Sequence, residues 1–166
     1  LYRGRYIGKL KRKNNFFQIY ENHKENLYSQ FTDVDIYFHT YKNKEKEKDK
    51  KQNENINDLI DILKPKKYIF EDYSNNQFIL ESFLKVCSLV EDPSQYDLII
   101  NLRFDIVFKK PFSSLNIDYN KFNFLWREPK GIWNREKSAS DIVHIFHSKF
   151  FSDYLNSLTD SCLNKW

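Results

Sequence analysis

Residues 96–108 read YDLIINLRFDIVF and contain the most strand-like segment of the chain. Its first part, from Tyr96 to Leu102, is short, apolar and rich in isoleucine and leucine, which is typical of a strand buried on both faces of a sheet. Arg103 and Asp105 then interrupt the apolar chain two residues apart. Strands of this kind occur mainly in parallel sheets covered by helices, so the stretch predicts an α/β domain.

Strand-like and helix-like segments alternate on both sides of this stretch. One helical stripe places Phe16, Tyr20, His23 and Leu27 on the same face. We predict further strands over residues 2–8, 34–39, 67–71, 122–126 and 142–146, and helices over 14–31, 55–63, from a Ser74–Gln77 capping box to Pro93, and after a Ser148 cap. We therefore expect one Rossmann-like α/β domain over residues 1–166, trimmed at one or both ends, with a mainly parallel central sheet and helices on both faces.

Composition and charge exclude several classes of protein. The chain has 166 residues, of which 40% are hydrophobic and 17% aromatic, so it is not an intrinsically disordered chain. No run approaches the ~20 apolar residues of a membrane span, and none resembles a signal peptide. The two cysteines form no CxxC pair, which disfavours a disulfide scaffold or a cysteine zinc site.

The net charge of +4 comes mostly from one segment. Residues 42–52 (KNKEKEKDKKQ) carry six lysines and three acidic residues, and they lack apolar periodicity. This composition predicts a mobile, solvated lysine-rich loop over residues 42–53. The run holds none of the aromatic residues that nucleic-acid binders interleave with basic ones, so we expect no nucleic-acid partner.

Polar residues stand at or directly after the ends of several apolar runs. In an open α/β sheet, ligands bind beyond the carboxyl ends of the strands. The residues at these positions are Arg3 and Arg5, His39 and Thr40, Glu71 and Asp72, and Arg103 and Asp105. The sequence contains no GxGxxG, GxxxxGK[ST] or GxSxG motif, which disfavours a dinucleotide oxidoreductase, a P-loop enzyme and an α/β-hydrolase.

Arg103 and Asp105 permit two interpretations. Charges next to a buried strand are costly unless they are paired or bound to a ligand. In the first interpretation they form an ion pair at the end of the strand. In the second, Asp105 holds a divalent cation through its oxygens while Arg103 binds a phosphate.

The stretch YDLIINLRFDIVF resembles the metal-binding motif of GT-A-fold nucleotide-sugar glycosyltransferases. More narrowly, it resembles a group from bacterial polysaccharide loci and large DNA viruses whose motif reads YD.vIR.RpD…F. The matching residues are Tyr96, Asp97, Ile99, Ile100, Arg103, Asp105 and Phe108, while Asn101 and Phe104 depart from an arginine and a proline. Further segments of that group are matched in order by Arg3-Gly4-Arg5, Val34 to Tyr41, Pro65 to Glu71, Ser74 to Gln77, and Asp141 to Leu155.

The resemblance implies a cytoplasmic enzyme, in the host cytoplasm if viral. It would transfer a sugar from a UDP- or GDP-sugar to a glycan acceptor, with Mn²⁺ or Mg²⁺ on the diphosphate of the donor. It makes Asp105 the metal ligand, or else allows metal-free function with Arg103 as the countercharge, and it assigns the nucleotide and its diphosphate to Arg3, Gly4, Arg5, His39 and Arg103. The alternative is a solvated terminus for Arg3 and Arg5 and, for His39, a role in orienting the loop that follows it.

Three further residues are candidates for the sugar side of such a site. Asp141 stands where the resembling group has an aspartate facing the sugar, and it would act as the catalytic base; otherwise it is an ordinary cap or turn residue. Trp126 and Trp133 flank a loop-like segment with Pro129 and Gly131. Their rings suit stacking against a sugar, and core filling is the alternative role.

Two other functions compete with the glycosyltransferase interpretation. The first is a non-catalytic α/β binding module that uses the lysine-rich loop for an acidic partner or nucleic acid. The second is a metal nuclease, which would need several clustered carboxylates and a nearby lysine, and the sequence shows no convincing set.

Overall fold

A computed structural model describes residues 1–3, 16–42, 56–72, 79–125 and 142–163. Arg3, Lys42, Ile79 and residues 161–163 are described only by their backbones. These residues form a mixed α/β fold, so the predicted class is confirmed. The strands are β1 (Tyr2–Arg3), β2 (Tyr37–Lys42), β3 (Lys67–Asp72), β4 (Leu98–Arg103), β5 (Asn123–Phe124) and β6 (Val143–His147). The α-helices are α1 (Phe16–Asn26), α2 (Ile56–Leu63), α3 (Ile79–Cys87) and α4 (Phe151–Leu163).

The described strands form one mixed six-stranded sheet in the order β3-β2-β1-β4-β6-β5. β1, β2, β3 and β4 run parallel to one another. β6 runs antiparallel to both β4 and β5. The parallel pairing is therefore confined to β1, β2, β3 and β4, and the predicted mainly parallel sheet is a mixed one.

Two apolar cores cover the two faces of this sheet. Phe38 and Leu102 point to the face on which α1 and α2 pack through Phe16 and Leu59. Ile99 and Phe146 point to the opposite face, on which α3 and α4 pack through side chains such as Phe83 and Tyr154. Successive residues of a strand point to opposite faces, which is why neighbours along β4 enter different cores.

The strand predicted over residues 34–39 lies three residues later. β2 begins at Tyr37, where its pairing with Lys67 of β3 starts, and Val34 is exposed. Thr40 and Tyr41 are a β-branched and an aromatic residue that favour strands and are buried like the preceding residues of β2, so the strand continues through them. The prediction that this strand ends at His39 is therefore wrong, because β2 continues to Lys42 and His39 lies inside it.

Helix ends follow local chemistry at two of the predicted positions. Lys64, between α2 and Pro65, adopts a left-handed conformation with φ of 46°, which agrees with the predicted end of this helix at residue 63. The last helix is preceded by a 3₁₀ turn over Ser148–Phe150. His147, not Ser148, caps that turn, since its ring Nδ1 accepts a hydrogen bond from the Lys149 amide at 3.1 Å.

Candidate functional site

The carboxyl ends of β1 and β4 meet at one edge of the sheet. In the sheet register Arg3 lies opposite Arg103 on one side and opposite His39 on the other. The strand order also reverses here, because β2 and β3 lie on one side of β1 and β4 on the other. In open α/β sheets a ligand-binding crevice forms outside the carboxyl ends of the strands at such a point. The fold therefore brings the backbone of Arg3 next to Arg103 at the expected edge.

Arg103 and Asp105 form a bidentate ion pair at this edge. The guanidinium donates from Nε to Oδ1 of Asp105 at 2.9 Å and from Nη2 to Oδ2 at 2.7 Å. The two side chains are 39% and 36% exposed. The ion pair that the sequence allows is thus present, and it faces solvent. Partly exposed pairs of this kind contribute about 1 kcal/mol or less, so a ligand can separate the two groups at low cost.

Phe104 anchors the turn that carries this pair. It is only 2% exposed, and its ring packs on Tyr2, Phe16 and Phe38 with centroid distances of 5.3, 5.8 and 6.0 Å. Because Phe104 points into the core, the charged residues on either side of it stay at the surface. The unusual Phe104 of the motif therefore has a packing role.

The other departure from the motif, Asn101, also lies in the core. It is fully buried on β4, and its Nδ2 donates to the hydroxyl of Tyr154 at 3.4 Å. It sits two residues before the strand end. Its replacement of an arginine therefore changes the interior of the sheet and not the charge at the carboxyl edge.

Helix α1 binds the backbone that follows Asp105. The Nε2 of His23 lies 2.7 Å from the carbonyl oxygen of Ile106. Asn22 makes two hydrogen bonds to Phe108, from Nδ2 to the carbonyl at 2.9 Å and from the Phe108 amide to Oδ1 at 2.8 Å. Sequence reasoning placed His23 on the buried stripe of this helix without a function. The only signal was a histidine at an apolar helical position.

His23 is a neutral, buried histidine. Burial lowers its pKa from 6.5 to about 4, although the hydrogen bond to Ile106 opposes this change. The folded chain therefore binds a proton at His23 less readily than the unfolded chain does. The contribution of His23 to the free energy of unfolding is therefore fully present above pH 6.5, and it is lost as the pH falls toward 4.

We expect this histidine to make the fold sensitive to mild acid. Between pH 7 and 4.5 its share of the unfolding free energy falls by about 2–3 kcal/mol. Urea unfolding of the wild type and of His23→Gln at both pH values measures this share, because the remaining titrating groups are common to both proteins. Equal pH dependence in the two proteins would contradict the assignment.

His39 is the centre of a second polar network, next to the carboxyl end of β3. The ring is fully buried, with Nε2 donating to Oε1 of Glu71 at 2.8 Å and Nδ1 lying 2.8 Å from the Ser82 hydroxyl. Lys85 also donates to Oε1 of Glu71, at 2.5 Å. Burial raises the pKa of the Glu71 carboxyl, but the hydrogen bonds from Lys85 and His39 outweigh it and hold that pKa below its ordinary value.

This network leaves His39 unavailable to a ligand in the observed conformation. Both ring nitrogens have partners, and burial lowers the pKa of the ring, which favours its neutral form. The residue therefore positions Glu71 at the sheet edge. The nucleotide contact predicted for His39 stays a prediction, and it requires the network to open.

Several predicted site residues lie outside the described residues. They are Gly4, Arg5, Trp126, Trp133 and Asp141, together with the Ser74–Gln77 capping box and all of the lysine-rich loop except the backbone of Lys42. Their predicted roles stay predictions. The alternative of a binding module depends on that loop and stays a prediction as well.

Asp105 is the carboxylate that the resemblance assigns to a divalent cation at this edge. No group of three or more His, Cys, Asp or Glu side chains in the described ranges is arranged to hold a metal. Mg²⁺-type ions in phosphate-transfer sites are commonly held by one or two carboxylates, with substrate phosphates and water completing the shell. Half-exposed Asp105 fits that kind of site and does not fit an all-protein metal cage.

A separate cavity of about 830 Å³ opens at the opposite edge of the sheet. It lies where β2 and β4 begin, between residues 31–37 and 95–100. Asp35 at its rim accepts hydrogen bonds from Lys66 at 2.8 Å and from the Tyr96 hydroxyl at 2.6 Å. Most of its lining comes from the amino ends of β2 and β4, and Tyr2 and Leu102, the chain neighbours of Arg3 and Arg103, also contribute to it.

Two findings concern the described residues and the chain as a whole. Among the described residues, no helix combines the length and the apolar character needed to cross a membrane. Comparison of the chain with protein-family models, curated proteins and solved structures finds no match.

Proposed function

We propose that the chain is a glycosyltransferase of the GT-A type, which transfers a sugar from a UDP- or GDP-sugar to a glycan acceptor. The observation that carries the proposal is the pairing of Arg103 with Asp105 at the carboxyl end of β4, beside Arg3 in the sheet register. This is the edge at which the strand order reverses, and the two side chains are accessible there.

Arg103 is suited to hold the diphosphate of the donor. When the sugar leaves, negative charge develops on the bridging oxygen of the diphosphate. A guanidinium is always charged and presents parallel N–H donors that match two phosphate oxygens. Arg103 already binds a carboxylate in this bidentate manner. Exchange of the carboxylate for a phosphate therefore requires no new donor geometry.

Asp105 would hold the divalent cation, Mn²⁺ or Mg²⁺, once the donor displaces it from Arg103. The ion supplies further positive charge to the diphosphate. The buried ring of Phe104 and the hydrogen bonds from α1 to residues 106 and 108 keep the carboxylate at the edge. Asp141 remains the predicted base for the acceptor hydroxyl.

Thermal shift with nucleotide sugars tests the proposal. We expect at least one UDP- or GDP-sugar to stabilise the wild type in the presence of Mn²⁺, by roughly 2.7 kcal/mol at a hundredfold excess over Kd. Asp105→Asn is expected to lose the dependence on Mn²⁺. Asp160→Asn removes an exposed carboxylate of α4 and serves as the matched control.

Two results would oppose the proposal. In one, no member of a UDP-, GDP- and CMP-sugar panel stabilises the wild type with or without Mn²⁺. In the other, a nucleotide sugar stabilises the wild type and Asp105→Asn equally at every Mn²⁺ concentration, which would remove Asp105 from the site.

A further inference from the structure

We propose that His23 is a positioning residue, which holds the Arg103–Asp105 turn at the sheet edge by fixing the carbonyl group of Ile106. Its consequence for ligand binding rests on the function proposed above. The turn itself contains Asp105, and Ile106 is the next residue along the chain. A hydrogen bond to the Ile106 carbonyl therefore restrains the backbone one residue after Asp105, whose side chain carries the carboxylate.

The donor and the acceptor of each hydrogen bond in the chain that ends at Ile106 can be assigned. A carbonyl can only accept, so the Nε2 of His23 must carry the proton and donate. The neutral ring then accepts at Nδ1 from the hydroxyl of Tyr2, at 2.6 Å. The Tyr2 oxygen in turn accepts from the hydroxyl of Tyr28.

This chain links three elements that meet below the site. Tyr2 belongs to β1, whose next residue, Arg3, lies opposite Arg103 in the register. His23 belongs to α1, and its ring also stacks on Tyr2 at 5.5 Å. The strand that supplies Arg3 and the turn that supplies Asp105 are therefore held to the same imidazole.

Asn22 reinforces the attachment two residues further along. Its side chain pairs with both the amide and the carbonyl of Phe108, as a neighbouring strand would. The ring of Phe108 also meets the edge of His23, with centroids 5.5 Å apart. The segment after Asp105 lacks a strand partner of its own in the described sheet, and α1 supplies these hydrogen bonds instead.

A second buried histidine provides a matched control. His144 of β6 is 6% exposed, and its Nδ1 lies 2.7 Å from the hydroxyl of Tyr154. It therefore resembles His23 in burial and in having a tyrosine partner. It belongs to the opposite core, however, where its ring stacks on that of Phe83 with centroids 4.9 Å apart.

The test compares His23→Phe, His23→Gln and His144→Phe. Phenylalanine keeps a ring but loses both hydrogen bonds, whereas glutamine retains an N–H that can reach the Ile106 carbonyl. The first readout is hydrogen exchange of the Phe108 amide, without ligand, with the Ile145 amide as reference. The second is the Kd of UDP and of GDP in the presence of Mn²⁺, measured by calorimetry.

We expect His23→Phe to speed exchange at Phe108 about tenfold more than at Ile145, since a lost buried hydrogen bond costs about 1–1.5 kcal/mol. We also expect it to weaken nucleotide binding about tenfold. We expect His23→Gln to restore most of the wild-type protection at Phe108 and most of the wild-type affinity. We expect His144→Phe to show neither the selective exchange nor the weaker binding. If His23→Phe and His144→Phe change exchange and Kd alike, His23 is only a core residue and the inference fails.

The exchange readout separates this inference from the proposed function. If neither nucleotide binds the wild type, the proposed function fails. Selectively faster exchange at Phe108 in His23→Phe would still support the inference that His23 positions the turn. If the wild type binds a nucleotide but exchange at Phe108 follows exchange at Ile145, the inference fails and the proposed function stands.

Discussion

Replacing Phe104 by alanine is expected to lower the free energy of unfolding by about 3–5 kcal/mol. The ring is 2% exposed and packs against aromatic residues of β1, α1 and β2, so its removal leaves a cavity that three elements share. Single domains are stable by only about 5–15 kcal/mol, so this one substitution would remove a large part of the total. Urea unfolding followed by tryptophan fluorescence measures the change.

Phe17→Ala is the matched control for this prediction. Phe17 is the neighbour of Phe16 on α1, but its side chain is 52% exposed. Removal of an exposed ring changes stability by about 0.5 kcal/mol or less. Similar losses for the two variants would mean that Phe104 is not the anchor of the turn after β4.

Loss of the Asp105 carboxylate is expected to reduce activity by about 10²–10³-fold, the effect of removing one charge-stabilising group from a polar active site. Asp105→Asn keeps the size of the side chain but cannot neutralise a cation. The half-exposed position means that stability changes little, within about 1 kcal/mol. Release of nucleoside diphosphate from the donor that stabilises the protein most is the assay.

Arg103→Lys examines the other half of the pair. Lysine retains the positive charge but cannot bind two oxygens with parallel N–H groups, so we expect a loss of activity in this variant as well. Asp160→Asn should retain the wild-type rate. If Asp105→Asn and Arg103→Lys also retained it, the pair would be a surface ion pair without a role in transfer.

The sequence predicts the α/β class and most of the regular elements. β4 was recognisable because its apolar run is short and stands between polar residues, and α2 because four apolar residues share one helical face before Pro65. The position of Arg103 and Asp105 at the sheet edge followed from the end of that apolar run. Local periodicity was sufficient for these features, because they depend on burial alone.

Other features depend on contacts between distant segments, which periodicity does not contain. The antiparallel direction of β6 is one of them, because an apolar strand reads the same in either direction. The start of β2 is set by its partner β3, which is why the prediction placed it three residues too early. The role of His23 requires the approach of Ile106, which lies 83 positions away in the chain.

On the proposed function, the edge formed by β1 and β4 binds a nucleoside diphosphate together with a divalent cation. The broadening of backbone amide signals by Mn²⁺, titrated with and without UDP or GDP into ¹⁵N-labelled protein, locates that binding. The opposite edge carries its own carboxylates, Asp33, Asp35 and Asp97, around the cavity. Competing locations are therefore available within the same molecule.

We predict that Mn²⁺ with one of the two nucleotides broadens the amides of Tyr2 and of residues 103–106. The amides of Asp35 and Tyr96 should keep their intensity in the same spectra. Selective broadening around Asp33, Asp35 and Asp97, or no nucleotide-dependent broadening near Asp105, would contradict the claim.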